Sequence, residues 1–203
     1  MSALMGVVLA GGRGRRFGAP KADARVGGST LAHRAVSVLT EVFDTVVVVS
    51  SLPVAPPPGV PVIPDVVADA GPMGGLHAGL VHAADAGFGG VFVLACDLPL
   101  MEARVVAAVA ASWSGDGAVA APRADAPGVE TLCAAYGVGI LAEIEGRLAA
   151  GDLGLQDLFA SVGGKVVRVE AFEADTDAFL NVNTPADRDR AENLLARRGR
   201  DSS

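Results

Sequence analysis

The sequence Val7-Val-Leu-Ala-Gly-Gly-Arg-Gly-Arg-Arg-Phe-Gly-Ala-Pro-Lys21 joins an apolar strand to a loop rich in glycine and arginine. Met5–Leu9 has the length and composition of a buried β-strand, and the next segment of helical period begins only near Thr30. The consecutive glycines Gly11 and Gly12 let the backbone turn tightly and bring its N–H groups against a ligand. Such amides form a concavity that binds anions, and the arginines add donors suited to phosphate. The loop is therefore predicted to hold a phosphate chain.

Two common phosphate loops do not match this segment. The dinucleotide fingerprint is glycine-x-glycine-x-x-glycine. If Gly12 and Gly14 are its first two glycines, the third should stand at position 17, which is Phe17. The P-loop needs Ser or Thr after its lysine, whereas Lys21 is followed by Ala22. Taken alone, the segment is also compatible with an ordinary basic loop between a strand and a helix.

Apolar runs and segments of helical period alternate outward from this loop to the end of the chain. The strands are predicted at Met5–Leu9, Thr45–Val49, Val60–Ile63, Val91–Ala95, Ala118–Ala121, Glu130–Tyr136 and Lys165–Val169. The helices are predicted from Thr30, which would cap the first one, and at Gly74–Asp85, Glu102–Ser112, Gly139–Ala149, Gly154–Ala160 and Pro185–Arg198. Continuous apolar strands indicate a mostly parallel sheet with helices on both faces, a doubly wound, Rossmann-like α/β fold. Ligands of such sheets bind beyond the carboxyl ends of the strands.

The length of 203 residues fits a single domain. Within it, residues 1–124 are predicted as a nucleotide-binding half and 125–196 as an acceptor-binding half. The segment 197–203 is expected to be a disordered tail.

Composition excludes several classes of function. The net charge of −7 argues against sequence-independent nucleic-acid binding, which needs a basic surface. The apolar runs are shorter than the roughly 20 residues of a membrane-spanning helix, and no signal peptide is evident, so we expect a cytoplasmic protein. Cys96 and Cys133 lack the spacing of a zinc or redox motif. The three histidines, His33, His77 and His82, lack a partnered catalytic spacing.

Two acidic positions are candidates for binding metal and nucleotide. Asp97 directly follows a buried strand, where a carboxylate is well placed to hold Mg²⁺, although it is equally suited to capping the next helix. Asp69 precedes the turn Gly71-Pro72, after which the amino terminus of a helix would face the ligand. The pair Asn181 and Asn183 precedes the last helix, and alone these residues indicate only turn and cap chemistry.

The segment Leu9-Ala-Gly-Gly-x-x-x-Arg-Phe-Gly-x-x-Lys21 closely resembles the signature of the MobA-like NTP transferase family, which attaches a nucleotide to a phosphorylated acceptor. Within that family it is most similar to the molybdenum cofactor guanylyltransferases. The resemblance extends through Asp69–Gly75, Leu132–Tyr136, Gly151–Leu158 and Asn181-Val-Asn-Thr-Pro185, so it covers nearly the whole chain.

The resemblance implies that GMP is transferred from GTP to the terminal phosphate of molybdopterin, with release of pyrophosphate and with Mg²⁺ bound at Asp97. It implies catalytic roles for Arg16, Lys21 and Asp97. The implied substrate-binding residues are Leu9, Ala10, Gly11, Gly12, Lys21, Asp69, Gly71, Asp97, Asn181 and Asn183. Transient contact with cofactor-delivery proteins is also expected, and no contact with nucleic acid or membrane.

The sequence departs from the family pattern at three places. One residue fewer separates Asp69 from Gly71, which leaves Asp65 as an alternative nucleotide contact. Ser50 stands where the family often has asparagine, and Glu130 brings negative charge to the acceptor side. A transferase that uses CTP or another phosphorylated acceptor, and a non-catalytic nucleotide-binding subunit, therefore stay open as alternatives.

Overall fold

The computed structural model describes residues 3–11, 21–65, 67, 69–122, 128–167 and 176–201. The strands are β1 (Leu4–Leu9), β2 (Arg25–Val26), β3 (Ser29–Thr30), β4 (Val46–Ser50), β5 (Val62–Pro64), β6 (Gly90–Ala95), β7 (Ala118–Pro122), β8 (Val129–Gly137) and β9 (Lys165–Val166). The α-helices are α1 (Leu31–Thr40), α2 (Gly71–Asp85), α3 (Ala103–Ala111), α4 (Leu141–Ala150), α5 (Leu155–Ser161) and α6 (Pro185–Asp201).

Seven of these strands form one sheet in the order β5-β4-β1-β6-β8-β7-β9. The strands β5, β4, β1 and β6 are parallel, and β7 and β9 are parallel to each other. The strand β8 runs antiparallel to both of its neighbours, β6 and β7. The predicted doubly wound, mostly parallel sheet is thereby confirmed, with one reversed strand inside it.

Helices cover both faces of the sheet, which explains the unbroken apolar runs in the sequence. One hydrophobic core lies beneath α1, α3 and α6 and includes Val8, Leu39 and Phe92. The other lies beneath α2, α4 and α5 and includes Leu76 and Tyr136. The central strands β1 and β6 alternate their side chains between two buried layers, so neither strand carries a polar side chain. Within the described residues, no helix is long and apolar enough to cross a membrane.

Helix α2 lies close to β1 because its facing positions carry no side chain. A Cβ atom at Gly79 would lie 3.2 Å from Cγ1 of Val7, and one at Gly75 would lie 3.0 Å from Cδ2 of Leu9. Both separations are shorter than normal carbon–carbon contacts. The first turn of α2 is consequently held beside the carboxyl end of β1.

The structure corrects several details of the prediction. The hairpin β2–β3 was not predicted, although its turn carries the usual signal of two glycines, Gly27 and Gly28, with φ of 58° and 80°. Helix α2 begins at Gly71 and not at Gly74. The strand β9 covers Lys165–Val166 and excludes Val167, whereas the last two residues of the predicted Lys165–Val169 lie outside the described residues. The segment 197–203, expected to be a disordered tail, is helical as far as Asp201.

Candidate active site

A cavity of about 610 Å³ opens where β1, β4 and β6 end at the same edge of the sheet. The chain leaves β1 and β6 in opposite directions along the sheet, and this is the point where doubly wound folds bind their ligands. Six of the predicted site residues line the cavity: Leu9, Gly11, Lys21, Asp69, Gly71 and Asp97. Asp65, the alternative to Asp69, lines it too. The first turn of α2 and Leu132 of β8 complete its walls.

Three predicted residues that are far apart in the sequence meet at one side of this cavity. The Lys21 ammonium donates to Oδ2 of Asp97 at 2.6 Å and to Oδ1 of Asn183 at 2.6 Å. The partners lie 76 and 162 residues from the lysine along the chain. The side chains of Lys21 and Asp97 are only 15% and 18% exposed. We refer to Lys21, Asp97 and Asn183 as the lysine cluster.

The Asp97 carboxylate fits the metal role that the sequence predicts. Its Oδ2 atom is bound by Lys21, whereas Oδ1 is buried and finds no hydrogen-bond partner among the described residues. A buried carboxylate oxygen without a partner is costly, and a cation would satisfy it. The described part of the chain holds no group of three or more potential metal-ligating His, Cys, Asp or Glu side chains. Mg²⁺ is commonly held by one or two carboxylates together with phosphate and water, so a single aspartate is compatible with it.

The segment that carries the two asparagines is tied both to Asp97 and to α6. The backbone N–H of Val182 donates to the carbonyl oxygen of Asp97 at 2.9 Å. The N–H groups of Asn183 and Thr184 donate to Oδ2 of Asp187 at 3.0 and 2.8 Å, and the Asp187 N–H donates to Oγ1 of Thr184 at 3.2 Å. This reciprocal arrangement is a capping box. Asn181 is exposed and does not line the cavity.

Asp187 was not among the site residues predicted from the sequence. The signal for it was present, because Thr184-x-x-Asp187 at the start of a helix has the spacing of a capping box. That spacing predicts a helix terminus, but it does not predict that the helix begins beside Lys21.

Asp65 and Asp69 both reach the cavity, and their surroundings differ. Oδ1 of Asp65 accepts the N–H of Val67 at 3.2 Å, and its carboxylate lies against α2, where a Cβ atom at Gly74 would be 2.8 Å from Oδ1. Burial raises the pKa of Asp65, an effect that the Val67 hydrogen bond and the nearby His77 partly offset. Asp69 adopts a left-handed φ of 55° at the turn into α2. Partial burial beside the cavity makes Asp65 the better candidate, whereas Asp69 is exposed.

Several other positions named from the sequence are buried or make only local contacts. Ala10 is buried in the core, and its N–H donates to Val49. The Ser50 hydroxyl donates to the carbonyl of Leu52 at 2.8 Å, within its own turn. Burial raises the pKa of Cys96 to about 12, so this thiol at the cavity wall is neutral and is not a nucleophile.

Three further positions were named from the sequence: Glu130, Gly12 and Arg16. Oε1 of Glu130 accepts the N–H of Leu132 at 3.4 Å, so the carboxylate folds back on its own strand. Gly12 and Arg16 lie outside the described residues.

Comparison with known proteins places this cavity in a family. Residues 6–167 match the model of the MobA-like NTP transferase domain. The chain is 40% identical over 203 residues to a probable molybdenum cofactor guanylyltransferase of Opitutus terrae, with 93% of this chain and 95% of that protein covered. It is 36% identical over 186 residues to another of Pelotomaculum thermopropionicum, with 90% and 88% covered.

Solved structures agree with these sequence matches. The molybdopterin-guanine dinucleotide biosynthesis protein A of Archaeoglobus fulgidus superposes with a TM-score of 0.75 at 25% identity, covering 96% of this chain and all of that one. A 2-C-methyl-D-erythritol 4-phosphate cytidylyltransferase of Thermus thermophilus shares the fold, with a TM-score of 0.66 at 19% identity and coverage of 97% and 100%. The chain belongs to the MobA-like NTP transferase family.

Proposed function

We propose that this protein transfers GMP from GTP to the terminal phosphate of molybdopterin, with release of pyrophosphate. The observation that carries the proposal is the lysine cluster, which brings a cation, a carboxylate and an amide together beside a nucleotide-sized cavity. The curated relatives named above are guanylyltransferases of the molybdenum cofactor, and they supply the choice of base and acceptor.

In the reaction, an oxygen of the acceptor phosphate attacks the α-phosphorus of GTP. The bond from that phosphorus to the bridging oxygen of the β-phosphate breaks, and pyrophosphate leaves with the bonding electrons. No covalent enzyme intermediate is needed, because the acceptor is itself the nucleophile. The work of the protein is therefore to align the two phosphates and to balance their charge.

Lys21 is placed to serve the phosphate chain directly. A lysine ammonium has three N–H donors. Asp97 and Asn183 accept two of them, and the third has no acceptor among the described residues. The amide of Gly11 and the first turn of α2 border the same cavity, where helix amides favour anions. We expect these groups to hold the β- and γ-phosphates and then to stabilise the leaving pyrophosphate.

Asp97 would hold the metal through Oδ1, since Lys21 binds Oδ2. When bound, Mg²⁺ would neutralise charge on the phosphate oxygens. The backbone carbonyl of Asp97 is fixed by Val182, so the carboxylate starts from a defined position at the end of β6.

The choice of GTP rests on two segments that resemble guanine-using family members: Leu9-Ala-Gly-Gly12 and Gly71-Pro-Met-Gly-Gly75. The cytoplasmic location and the contact with cofactor-delivery proteins stay predictions. Cell fractionation would test the first, and co-purification with a molybdopterin-carrying protein the second.

The test is a transfer assay with purified protein, molybdopterin, Mg²⁺ and GTP labelled at the α-phosphate. We expect one labelled dinucleotide and one pyrophosphate per turnover, no product with EDTA, and at least tenfold slower transfer with CTP. Binding of GTP without transfer to molybdopterin would overturn the proposal. Faster transfer from CTP would retain the chemistry and reject the base.

A further inference from the structure

Asp187 does not line the cavity, yet it bonds the backbone of Asn183 and lies close enough to Lys21 to interact with its charge, so it is linked to two members of the lysine cluster. We propose that Asp187 is a positioning residue for nucleotide transfer, which fixes the backbone of Asn183 so that its side chain meets Lys21. This inference rests on the proposed function, because the cluster that Asp187 supports is the one assigned to transfer.

The geometry of the capping box links Asp187 to the backbone of Asn183. One oxygen of Asp187 accepts two consecutive N–H groups, those of Asn183 and Thr184. The usual capping box satisfies only the N–H of the cap residue, which is Thr184 here. The second bond, to Asn183 at 3.0 Å, extends the restraint by one residue, out of the helix and into the segment beside Asp97.

The Asn183 side chain is held by its contact with Lys21 and by its restrained backbone. Asn183 is exposed, and its Oδ1 atom accepts from Lys21 at 2.6 Å. An exposed amide side chain is normally free to rotate, and its restriction costs conformational entropy. A backbone fixed by Asp187 on one side and by the Val182–Asp97 hydrogen bond on the other limits the directions in which the amide can point. Asn183 is thereby pre-organised as an acceptor for Lys21.

Asp187 is also charged. Hydrogen bonding with Thr184 and with the backbone N–H of Asn183 lowers the pKa of Asp187, and the positive charge of Lys21 lowers it further. Asp187 is therefore an anion at neutral pH, near enough to Lys21 to interact with it. Lys21 thus contacts the Asp97 carboxylate directly, and its charge also favours the ionised form of Asp187.

A role limited to capping α6 makes a different prediction, and the two halves of the capping box separate the two roles. The variant Thr184→Ala removes the acceptor of the Asp187 N–H but leaves both bonds to Asp187 Oδ2. The variant Asp187→Ala removes the restraint on Asn183. Each should lower helix stability to a similar degree, because each removes one half of the box. Glu192→Gln is the matched charge control, since Glu192 is exposed on the same helix.

A double-mutant cycle measured as kcat/KM for GMP transfer provides the decisive activity test. Residues of one hydrogen-bond network are energetically coupled, so we expect Asp187→Ala to lower kcat/KM about tenfold. The change should lie in kcat more than in KM. In an Asn183→Ala background, the same change should cost less than twofold. Thr184→Ala should lower Tm comparably but lower kcat/KM less than threefold, and Asp187→Asn, which keeps an acceptor oxygen, should recover most of the activity. An equal loss in both backgrounds, or an equal loss from Thr184→Ala, would overturn the inference.

A second measurement needs no turnover. The chain has only two lysines, Lys21 and the exposed Lys165, so an NMR spectrum of ¹⁵N-lysine protein contains two Nζ signals. Asp187→Ala and Asn183→Ala should each move the Lys21 signal toward that of Lys165, whereas Glu192→Gln should move neither. An unmoved Lys21 signal in Asp187→Ala would reject the positioning role. If wild-type protein transfers no GMP but the Lys21 signal moves as expected, the proposed function fails and the positioning role of Asp187 stands.

Discussion

The two sides of the cavity position their functional groups by different means. On the nucleotide side, Gly11 and Asp97 directly follow the parallel strands β1 and β6, so sheet hydrogen bonds fix their places. On the acceptor side, Asn183 comes from a loop, held by the Asp187 capping box and one backbone bond to Asp97. The phosphate site is thus part of the sheet, whereas the acceptor side is attached to it.

The strand β6 is the boundary between these two regions. It is parallel to β1 on one side and antiparallel to β8 on the other. Asp97 follows this strand directly and contacts groups from both regions, Lys21 and Val182. Under the proposed function, the residue that we assign to the metal would lie where the two substrates meet.

Asp97 contacts groups from both regions, so its replacement should have the largest effect. Asp97→Ala should reduce kcat/KM for GMP transfer at least 10³-fold, because the change removes the metal ligand and one acceptor of Lys21, and lost electrostatic stabilisation reaches about this size. Circular dichroism and Tm should show an intact fold. Asp85→Asn, an exposed aspartate at the end of α2, is the control and should change activity less than twofold. Near-normal turnover in Asp97→Ala with Mg²⁺ present would contradict the assignment.

Lys21 tests whether the nucleotide side depends on one cation. Lys21→Met should lower kcat/KM about 100-fold, since a lost phosphate contact in a partly buried site costs a few kcal/mol. The other lysine supplies the control: Lys165→Met, at an exposed position of β9, should leave the rate unchanged. Steady-state transfer of labelled GMP measures both variants. Equal rates for the two would show that Lys21 is only a surface residue.

Gly90 tests how tightly the two regions are joined. A Cβ atom there would overlap the carbonyl oxygen of Tyr136 on β8 and lie 3.0 Å from the Trp113 ring. Gly90→Ala should destabilise the protein by about 2 kcal/mol, within the range for overpacking. Gly146→Ala in α4, where a Cβ meets nothing within 4 Å, should stabilise it by about 1 kcal/mol through helix propensity. Denaturant unfolding measures both changes. A Gly90→Ala protein as stable as wild type would show that the β6–β8 boundary is loosely packed.

Asp65 and Asp69 give the smallest expected effect and refine the nucleotide side. Asp65→Asn should weaken the Kd for GTP about tenfold, or about 1.4 kcal/mol. The same variant should not lower Tm at pH 7, because burial raises the pKa of Asp65 and makes its ionised form the costlier one in the folded state. Asp69→Asn should change Kd less than threefold. Calorimetric titration with GTP measures both, and the reverse order would return the assignment to Asp69.

The residues that line the cavity after β1 and β6 were predictable from the sequence for a physical reason. Strands buried on both faces, such as Val91–Ala95, are unbroken apolar runs, and a carboxylate directly after such a run is easily recognised. The positions of Lys21 and Asp97 followed from motifs that are short and local.

The acceptor side was less predictable because its features depend on distant contacts. Nothing in the apolar pattern of β8 shows that it runs antiparallel, and only the short connection from β7 hints at it. The role inferred for Asp187 acts through the backbone of Asn183, and the cap spacing alone does not show what lies beyond the helix end. The Ser50 hydroxyl donates to the carbonyl of Leu52 within its own turn, and the identity of the residue does not predict that contact.

The span of 162 residues between Lys21 and Asn183 has a consequence for protein synthesis. Every described strand is complete by Val166, and so is the core beneath α2, α4 and α5, whereas the other core still needs Val182 and Ala191. Until that late segment emerges from the ribosome, the carbonyl of Asp97 and the ammonium of Lys21 both lack a partner that they have in the finished protein. Nucleotide transfer as we propose it would therefore become possible only after the last part of the chain has been made.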